Sequence, residues 1–301
     1  MEKTYKNSLY LIGLIFLFCF GLSIFAVYLA GAINTKVVLF LFISTLFSSA
    51  ISVTVLGGFF TSLTSYLLHM RRLFRMDNLS NPLLLRLSSE APGTYHHSII
   101  VSNMASKAAK TIGADSLLCR VSAYFHDIGK LKNPGFFVEN QGFYKNEGHI
   151  QSKLNNPQKN AQIIIAHVKD GIKMAEEAHI PQDVINIIAQ HHGDSTCVYF
   201  YEEAKNKDKT GVKKSDFQYP GPKPQNKNAA ILMLADSLEA RARAKEDYSD
   251  IKDLVEKTFS DKIKERQLSE SGFSEQEIFR LKKIFAEILE TMFHPRIEYP
   301  K

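Results

Sequence analysis

The most restrictive feature of this sequence is an almost uncharged stretch that occupies residues 8–70 of a 301-residue chain. Residues 8–33 carry no charged side chain, and after the single Lys36 residues 37–69 carry none either. An α-helix rises about 1.5 Å per residue, so either run is long enough to cross the ~30 Å hydrocarbon core of a membrane. The rest of the chain has an ordinary charged composition. The sequence therefore predicts a membrane anchor followed by one large or two small soluble domains.

The two uncharged runs predict two transmembrane helices with both chain ends in the cytoplasm. The first run is too long for the apolar core of a signal peptide. Gly57 and Gly58 interrupt the second run, so we place that span at residues 37–59 and expect an interfacial or cytoplasmic helix after it. Most basic residues of this region lie outside the spans: Lys3, Lys6, Arg71, Arg72 and Arg75. By the positive-inside rule, residues 1–76 form a multi-pass anchor in the cell (inner or plasma) membrane, and residues 77–301 lie in the cytoplasm.

The soluble part has the pattern of an all-α protein. Apolar residues recur there at three- and four-residue spacing, which is the period of a helix. We predict helices at residues 83–87, 97–112, 116–125, 160–178, 181–190, 228–244, 251–266 and 276–293. Ser274 followed by Glu277 predicts a capping box for the last of them. Residues 132–157 and 205–227 are predicted to be long loops, which are often functional. No run alternates as a strand would, so the fold class is all-α.

Composition excludes some kinds of site but selects none. The three cysteines, Cys19, Cys119 and Cys197, are too scattered for a disulfide framework or a zinc ribbon. The net charge of +6 suits an anionic membrane surface or a phosphate-bearing substrate equally well. Function has to be inferred from the motifs.

An adjacent His126-Asp127 pair ends an apolar helical segment, in YFHDIGK. A charged aspartate at a buried helix end needs a partner, and a local salt bridge supplies one as well as a metal ion does. Five further polar residues lie in or beside apolar helical segments: His97, His167, His191, His192 and Asp236. Separate burial of all of them would be costly, whereas a shared dinuclear metal centre satisfies them together. Mixed imidazole and carboxylate ligands favour iron, manganese or zinc over calcium.

The order H…HD…H…HH…D resembles the HD phosphohydrolase superfamily. The surrounding sequence is similar to one branch, the PgpH-type cyclic di-AMP phosphodiesterases with seven transmembrane helices. The similar phrases are NPLLLRLSSEAPGTYHHS, IGADSLLCRVSAYFHDIGK, FFVENQ, IIIAHVKDG, HHG, FQYPGPKPQ, LADSLEA and FHPRIEYP. They extend from about residue 80 to the last residue. Members of this branch carry an extracytoplasmic region and further spans ahead of this point, so the resemblance describes a short form with two spans, either natural or a fragment.

The resemblance implies a helical HD domain preceded by two transmembrane helices. It carries over seven metal ligands: His97, His126, Asp127, His167, His191, His192 and Asp236. It also implies two divalent transition metal ions, with manganese or iron preferred to zinc. We expect Asp127 to bridge the two ions. One site would be completed by His97, His126 and Asp236, and the other by His167, His191 and His192. His96 is assigned a supporting or structural role.

The implied reaction is hydrolysis of a cyclic dinucleotide, cyclic di-AMP, to the linear pApA. Two metal ions ~3.5–4 Å apart lower the pKa of water and supply hydroxide for in-line attack on phosphorus. Asp127 and Lys130 are the predicted catalytic residues. Lys130 would pair with a phosphate oxygen, or it is simply an exposed lysine at a helix end. Tyr199 and Tyr201 are predicted to stack on a base and Lys223 to bind substrate; the alternative is a pair of core aromatics and a solvated lysine.

Two other functions stay open. An HD hydrolase of another nucleotide would carry the same ligands, because the residues themselves identify only a phosphoester. The Gly-Tyr-Pro motif of the cyclic di-GMP branch is absent after His191-His192, and no G-x-x-G of a KH module occurs. A catalytically silent membrane signalling or binding module would have lost a ligand, and every expected ligand is present. The expected partners are a cyclic dinucleotide and the lipid bilayer, without a stable nucleic-acid complex; homo-oligomerisation is left open.

Overall fold

The structure is a computed structural model, and it describes residues 16–28, 31, 34–144, 156–207, 211–245 and 250–293. Every regular element in these ranges is a helix, and their one extended pairing is an isolated bridge between Thr196 and Gln218. The predicted all-α class is therefore confirmed. The chain divides into two compact units, Met1–Arg72 and Leu73–Lys301.

The N-terminal unit carries the apolar helices. Helix α1 covers Phe16–Tyr28, and helix α2 begins at Thr35 and ends at Met76. Among the described helices, α2 alone is long and apolar enough to cross a membrane, judged by length and composition. The first predicted span, residues 8–33, lies partly outside the described residues. Its described part, α1, is shorter than the ~20 residues that a span needs, so this span stays a prediction.

Helix α2 corrects the predicted break in the helix after the second span, whereas the span at residues 37–59 itself stays a prediction. The sequence predicts a break near residue 59, but α2 continues through Gly57 and Gly58 as one helix of 42 residues. Glycine in a helix interior costs only about 1 kcal/mol relative to alanine. Unbroken backbone hydrogen bonding through a long apolar run outweighs that cost, and no separate interfacial helix begins after the glycines.

The second unit is built from α-helices and short 3-10 segments. These helices are α3 (Pro82–Glu90), α4 (Pro92–Ile112), α5 (Ser116–Phe125), α6 (Gln141–Tyr144), α7 (Pro157–Glu177), α8 (Gln182–Gln190), α9 (Val198–Lys207), α10 (Lys227–Arg243), α11 (Ile251–Lys264) and α12 (Glu275–Met292). The 3-10 segments are Ile128–Lys132, Pro134–Phe136, Val138–Asn140 and Lys214–Phe217. Each helix predicted after residue 80 is present. The first predicted loop contains 3-10 turns and α6, and residues 145–155 lie outside the described residues.

Side-chain caps explain several helix boundaries. The Asp115 carboxylate accepts hydrogen bonds from the amides of Leu117 and Leu118, which starts α5. Ser274 and Glu277 form the predicted capping box at the start of α12. These local contacts fix where α5 begins and therefore where its last residues, next to His126, are placed.

Helix α10 lies at the centre of this unit and is apolar on nearly every side. It packs on α4, α5, α8 and α11, and α12 packs on α4 beside it. Ala229 through Ala235 are all fully buried. A helix buried on all sides has to satisfy any polar side chain it carries inside the protein. Asp236 and Glu239 are such side chains, which directs attention to their partners.

Candidate metal centre

The seven predicted ligands lie on five helices or directly after them, and the fold brings all seven together. Those within helices are His97 on α4, His167 on α7 and Asp236 on α10. Those that follow a helix are His126 and Asp127 after α5, and His191 and His192 after α8. Six of the seven side chains are buried, and His192 is partly exposed. Residues far apart in the sequence thus form one cluster.

Asp127 is at the middle of the cluster. Its Oδ2 lies 3.2 Å from Nε2 of His126 and 3.7 Å from Nε2 of His97. Its Oδ1 lies 3.3 Å from Nε2 of His167 and 3.8 Å from Nε2 of His191. Each oxygen faces a different pair of imidazoles, which is the geometry expected of a carboxylate that bridges two cations. Two groups of ligand atoms result, each within 4.8 Å of one another: His97, His126 and Asp127, and Asp127, His167, His191 and His192.

Asp236 adds a second carboxylate to the cluster. Its Oδ1 is 3.0 Å from Nε2 of His97 and 3.8 Å from Nε2 of His126. Its Oδ2 is 3.7 Å from Nδ1 of His192. The first oxygen therefore lies beside the imidazoles with which it was predicted to act, and the second lies beside an imidazole of the other group.

Backbone hydrogen bonds determine which imidazole nitrogen faces the cluster. The Nδ1 atoms of His126, His167 and His191 lie 2.8, 2.5 and 2.6 Å from the carbonyl oxygens three residues earlier. A carbonyl only accepts, so each ring donates from Nδ1 and directs Nε2 inward. Metal-binding histidines are commonly oriented by such a hydrogen bond on the outer nitrogen.

His97 is oriented by a carboxylate instead. Its Nδ1 donates to Oε2 of Glu239 at 2.6 Å, and the Glu239 side chain is almost completely buried. Glu239 was not among the site residues predicted from the sequence. It is three residues after Asp236 on α10, so both carboxylates lie on one face of that helix. That spacing in a buried helix was the available signal.

The ligand atoms of the cluster are satisfied better by cations than by hydrogen bonds to one another. Nε2 of His167 and Nε2 of His191 are 3.2 Å apart, and both rings already donate from Nδ1. In the neutral rings two lone pairs would face each other, which a cation between them would stabilise. Nε2 of His126 and Oδ1 of Asp127 are buried without a hydrogen-bond partner among the described residues. Orphaned buried polar atoms of this kind are expected at a metal site.

The electrostatics of the cluster also suit metal binding. Burial favours protonation of Asp127, but the charges of His126 and Lys130 outweigh it and hold the pKa of that carboxyl well below its usual range. Burial and the charge of His126 lower the pKa of His191 to about 3. Burial lowers the pKa of His126, but Asp127 more than reverses this and raises it to about 10. A metal ion would replace the His126 proton, because metal and proton compete for the same nitrogen.

Comparison with known proteins shows the family to which the chain that carries this cluster belongs. A family model described as HD domain matches residues 94–241, a range that contains all seven ligands. The solved structure of the Listeria monocytogenes phosphodiesterase PgpH HD domain in complex with cyclic-di-AMP is 38% identical. Its whole length is covered by 72% of this chain, with a TM-score of 0.65. The chain belongs to the HD family, with an HD domain of the PgpH type.

Two curated relatives extend the similarity beyond the HD domain itself. Cyclic-di-AMP phosphodiesterase PgpH of Bacillus subtilis is 40% identical over 257 residues, which is 85% of this chain. The protein of the same name from Listeria monocytogenes is 39% identical over 236 residues, or 78% of this chain. The chain spans about a third of the length of these relatives, 35% and 32% respectively.

The cluster of His and Asp side chains in this HD domain opens into a cleft of about 420 Å³. Its lining includes four of the predicted ligands: His97, His167, His192 and Asp236. Four polar residues that were not predicted as site residues also line it: Glu139, Tyr219, Glu239 and Arg243. The Tyr219 ring packs on His192 with a centroid distance of 4.3 Å. Tyr219 belongs to the FQYPGPKPQ segment, so the family motif was the available signal for it.

Lys130 is mostly buried beside the cluster. Its Nζ lies 2.8 Å from Oδ2 of Asp127 and 2.8 Å from Oε1 of Glu139. Thr94 donates a further hydrogen bond to the same Glu139 oxygen at 3.0 Å. The interpretation of Lys130 as an exposed lysine at a helix end is therefore wrong. Burial opposes its charge, but Asp127 and Glu139 more than offset this and raise the pKa of Lys130.

The three residues predicted to bind substrate lie elsewhere in the described structure. Tyr199 is 61% exposed, and the cleft lining does not include it. Tyr201 packs on Phe217 in a separate apolar cluster, as in the core-aromatic alternative. Lys223 pairs with Asp194 at 3.6 Å and is likewise outside the lining. Their contact with substrate stays a prediction that these positions do not support.

Close backbone packing places His167 next to Asp127. A Cβ on Gly129 would lie 1.9 Å from the carbonyl oxygen of His167 and 2.5 Å from the amide nitrogen of Gly171. Only glycine allows α7 to approach the Ile128–Lys132 turn this closely. The two halves of the cluster are therefore joined by a contact between two backbones.

Proposed function

We propose that this chain is a metal-dependent phosphodiesterase that hydrolyses a cyclic dinucleotide, with cyclic di-AMP as substrate and linear pApA as product. The observation that carries the proposal is Asp127, whose two oxygens face two separate groups of imidazoles beside a cleft. An aspartate in that position holds two cations side by side, which is the arrangement used for phosphoester hydrolysis.

The similar proteins indicate which cyclic dinucleotide is the substrate. Two relatives are cyclic-di-AMP phosphodiesterases by name, and the matching solved HD domain holds cyclic-di-AMP. Hydrolysis would add water across one phosphodiester. The water oxygen would bond to phosphorus, the bond from phosphorus to the 3′ oxygen would break, and the 3′ oxygen would take a proton. The ring opens to a linear dinucleotide with one terminal phosphate.

The seven-residue cluster supplies the ligands in this proposal, and Asp127 bridges the two groups. Two bound divalent ions supply Lewis acidity and lower the pKa of water so that hydroxide is available near neutral pH. Mixed imidazole and carboxylate ligands suit iron, manganese or zinc, and we propose manganese or iron in preference to zinc on the family resemblance alone. Lys130 orients Asp127 through its 2.8 Å ion pair and adds positive charge next to the reacting phosphate.

We also propose that the chain is held in a membrane by its N-terminal region. Helix α2 has the length and composition of a membrane-spanning helix, and the charge distribution predicts that the HD domain is cytoplasmic. At ~1.5 Å per residue, α2 is longer than the ~30 Å hydrocarbon core, so only part of it would lie in lipid.

The test is to purify the full chain in detergent, measure its metal content and assay it against cyclic di-AMP, cyclic di-GMP and a 3′,5′-cyclic mononucleotide. We expect close to two transition metal ions per chain and turnover of cyclic di-AMP to pApA. Asp127→Ala should bind less metal and lose turnover. Asp253→Ala, which removes an exposed carboxylate on α11, is the matched control.

Three results would contradict this proposal in different ways. Turnover of cyclic di-GMP alone, or of the mononucleotide alone, would refute the substrate and keep the metal centre. Metal binding without hydrolysis of any substrate would favour a signalling or binding module. Wild-type activity in Asp127→Ala would refute the bridging role of that carboxylate.

A further inference from the structure

One face of α10 extends from the metal cluster along the cleft. The α10 residues in the cleft lining are Asp236, Glu239, Ala240 and Arg243, followed by Ala244. Their spacing of three, four, seven and eight residues from Asp236 defines a single helix face. The alanines leave room above the helix, and Arg243 is the charged residue at the far end of this face.

Among the described residues, the Arg243 guanidinium is bonded along one edge only. Its Nε donates to Oε1 of Glu239 at 3.0 Å, and its Nη2 donates to the same oxygen. The other Glu239 oxygen accepts from His97. A guanidinium has five N–H donors, and these bonds use two of them. The side chain is 38% exposed and lines the cleft, so its remaining donors are accessible to a ligand.

Lys130, the other cation in the cleft lining, is committed elsewhere. Two carboxylates hold it, Asp127 and Glu139, each at 2.8 Å, and 13% of its side chain is exposed. Arg243 shares a single carboxylate oxygen and is nearly three times as exposed. Among the described cleft residues, Arg243 is therefore the cation with donors to spare.

Arg243 is connected to the ligand cluster through Glu239, which contacts both Arg243 and His97. Helical side chains lean toward the N-terminus, and the contact with Glu239 shows that Arg243 leans back by one turn. Its guanidinium then lies about one helical turn, roughly 5 Å along the axis, beyond Asp236. The two phosphodiesters of a cyclic dinucleotide are separated by one ribose, which is a comparable distance.

We propose that Arg243 binds the second, unreacting phosphodiester of the substrate, so that this residue makes the HD domain selective for ligands with two phosphates. The proposal rests on the proposed function above. Arginine binds phosphate oxygens with paired N–H donors, which gives both affinity and orientation. Glu239 holds the guanidinium in place and connects it to His97, so the second phosphate is positioned relative to the metal cluster.

The test compares two substrates and three variants of the full chain. Cyclic di-AMP has two phosphodiesters, and bis(p-nitrophenyl) phosphate has one. In Arg243→Gln we expect KM for cyclic di-AMP to rise about 10- to 100-fold, the range for one lost charge-assisted contact, with a much smaller change in kcat. Activity on bis(p-nitrophenyl) phosphate and metal content should change little. Arg243→Lys, which keeps the charge, should give an intermediate KM.

Arg241→Gln is the matched control, because Arg241 bonds Thr258 and Asp261 on α11 and is not in the cleft lining. It should leave KM for cyclic di-AMP at the wild-type value. An unchanged KM in Arg243→Gln, or equal losses on both substrates, would overturn the assignment of Arg243; equal losses would indicate that it only supports Glu239 and His97. A wild-type chain that cleaves bis(p-nitrophenyl) phosphate but no cyclic dinucleotide would instead refute the proposed function, and this proposal with it.

Discussion

For single residues, the geometry of the candidate metal centre depends on the hydrogen-bond acceptors that orient its imidazole rings. Three imidazoles are oriented by backbone carbonyls, and these cannot be removed by side-chain substitution. His97 is oriented by a side chain, Glu239, at 2.6 Å. Glu239 is thus the place where ligand orientation can be changed without touching a ligand.

Replacing Glu239 by alanine should weaken metal binding without abolishing the fold. The His97 ring loses the acceptor that fixes its orientation, so we expect metal affinity to fall about 10- to 100-fold. A metal titration against a competing chelator measures this. Glu256→Ala is the control, because its ion pair with Lys282 lies at the surface. Equal affinities in the two variants would show that Glu239 does not orient His97.

At the scale of elements, the centre requires two backbones to touch. Helix α7 approaches the Ile128–Lys132 turn so closely that Gly129 has no room for a side chain. This contact holds the backbone that carries His167 close to the turn that follows Asp127. A change of one methyl group at Gly129 should therefore be felt at the metals.

We expect Gly129→Ala to lower both stability and metal content. Its Cβ would collide with the His167 carbonyl oxygen, and overpacking of this kind costs about 1–3 kcal/mol. Thermal unfolding and metal analysis of the purified chain measure the two effects. Gly142→Ala is the control, since a Cβ there meets nothing within 4 Å. If Gly129→Ala matched this control in both measurements, the close approach of α7 would not position the ligands.

The start of α12 predicts a pH effect on stability. The hydrogen bond from Lys227 and that from the Ser274 amide lower the pKa of Glu277 from its usual 4.5 to about 2. Because the folded value is the lower one, ionised Glu277 stabilises the fold above about pH 4.5, and this contribution is lost as the pH falls toward 2. The difference in melting temperature between wild type and Glu277→Gln should therefore shrink over that interval. A constant difference from pH 5 to pH 2 would contradict the assignment.

At the scale of the whole molecule, the centre ties five helices together. The seven ligands lie on α4, α7 and α10 and directly after α5 and α8, five helices that lie between residues 92 and 243. Metal bound to these ligands would therefore cross-link the second unit. Because it would bind the folded chain, it would also stabilise that state by mass action.

Removing the metals should lower the melting temperature of the wild-type chain. At a metal concentration 100 times Kd the stabilisation is about 2.7 kcal/mol, so chelation should lower the melting temperature by roughly 5–10 °C. Adding Mn²⁺ back should restore it. Asp127→Ala should show a much smaller shift because it binds less metal. An unchanged melting temperature after verified metal loss would contradict the cross-link.

The all-α class, the helices after residue 80 and the seven side chains of the cluster could all be predicted from the sequence. Helical periodicity is a local property, and a buried His or Asp in an apolar segment is conspicuous wherever its partner lies. Ser274 and Glu277 were predictable for the same reason, because both ends of the capping box lie within one turn. The continuous α2 was not predicted. Two adjacent glycines are typical of a helix break, but here the apolar helix on both sides of Gly57 and Gly58 continues through them.

Which atoms face one another could not be predicted, because it depends on how the helices pack. In the sequence, nothing distinguishes Glu239 from other helix glutamates; its role depends on the contact with His97 on α4. Lys130 likewise looks like any other lysine, and its burial depends on the contact with Glu139. Tyr199 and Tyr201 are near the HHG motif in sequence, yet they lie outside the cleft that contains Tyr219. The physical reason is that burial and hydrogen bonding depend on distance in space, and the helices that form this centre are separated by up to 139 residues between His97 and Asp236.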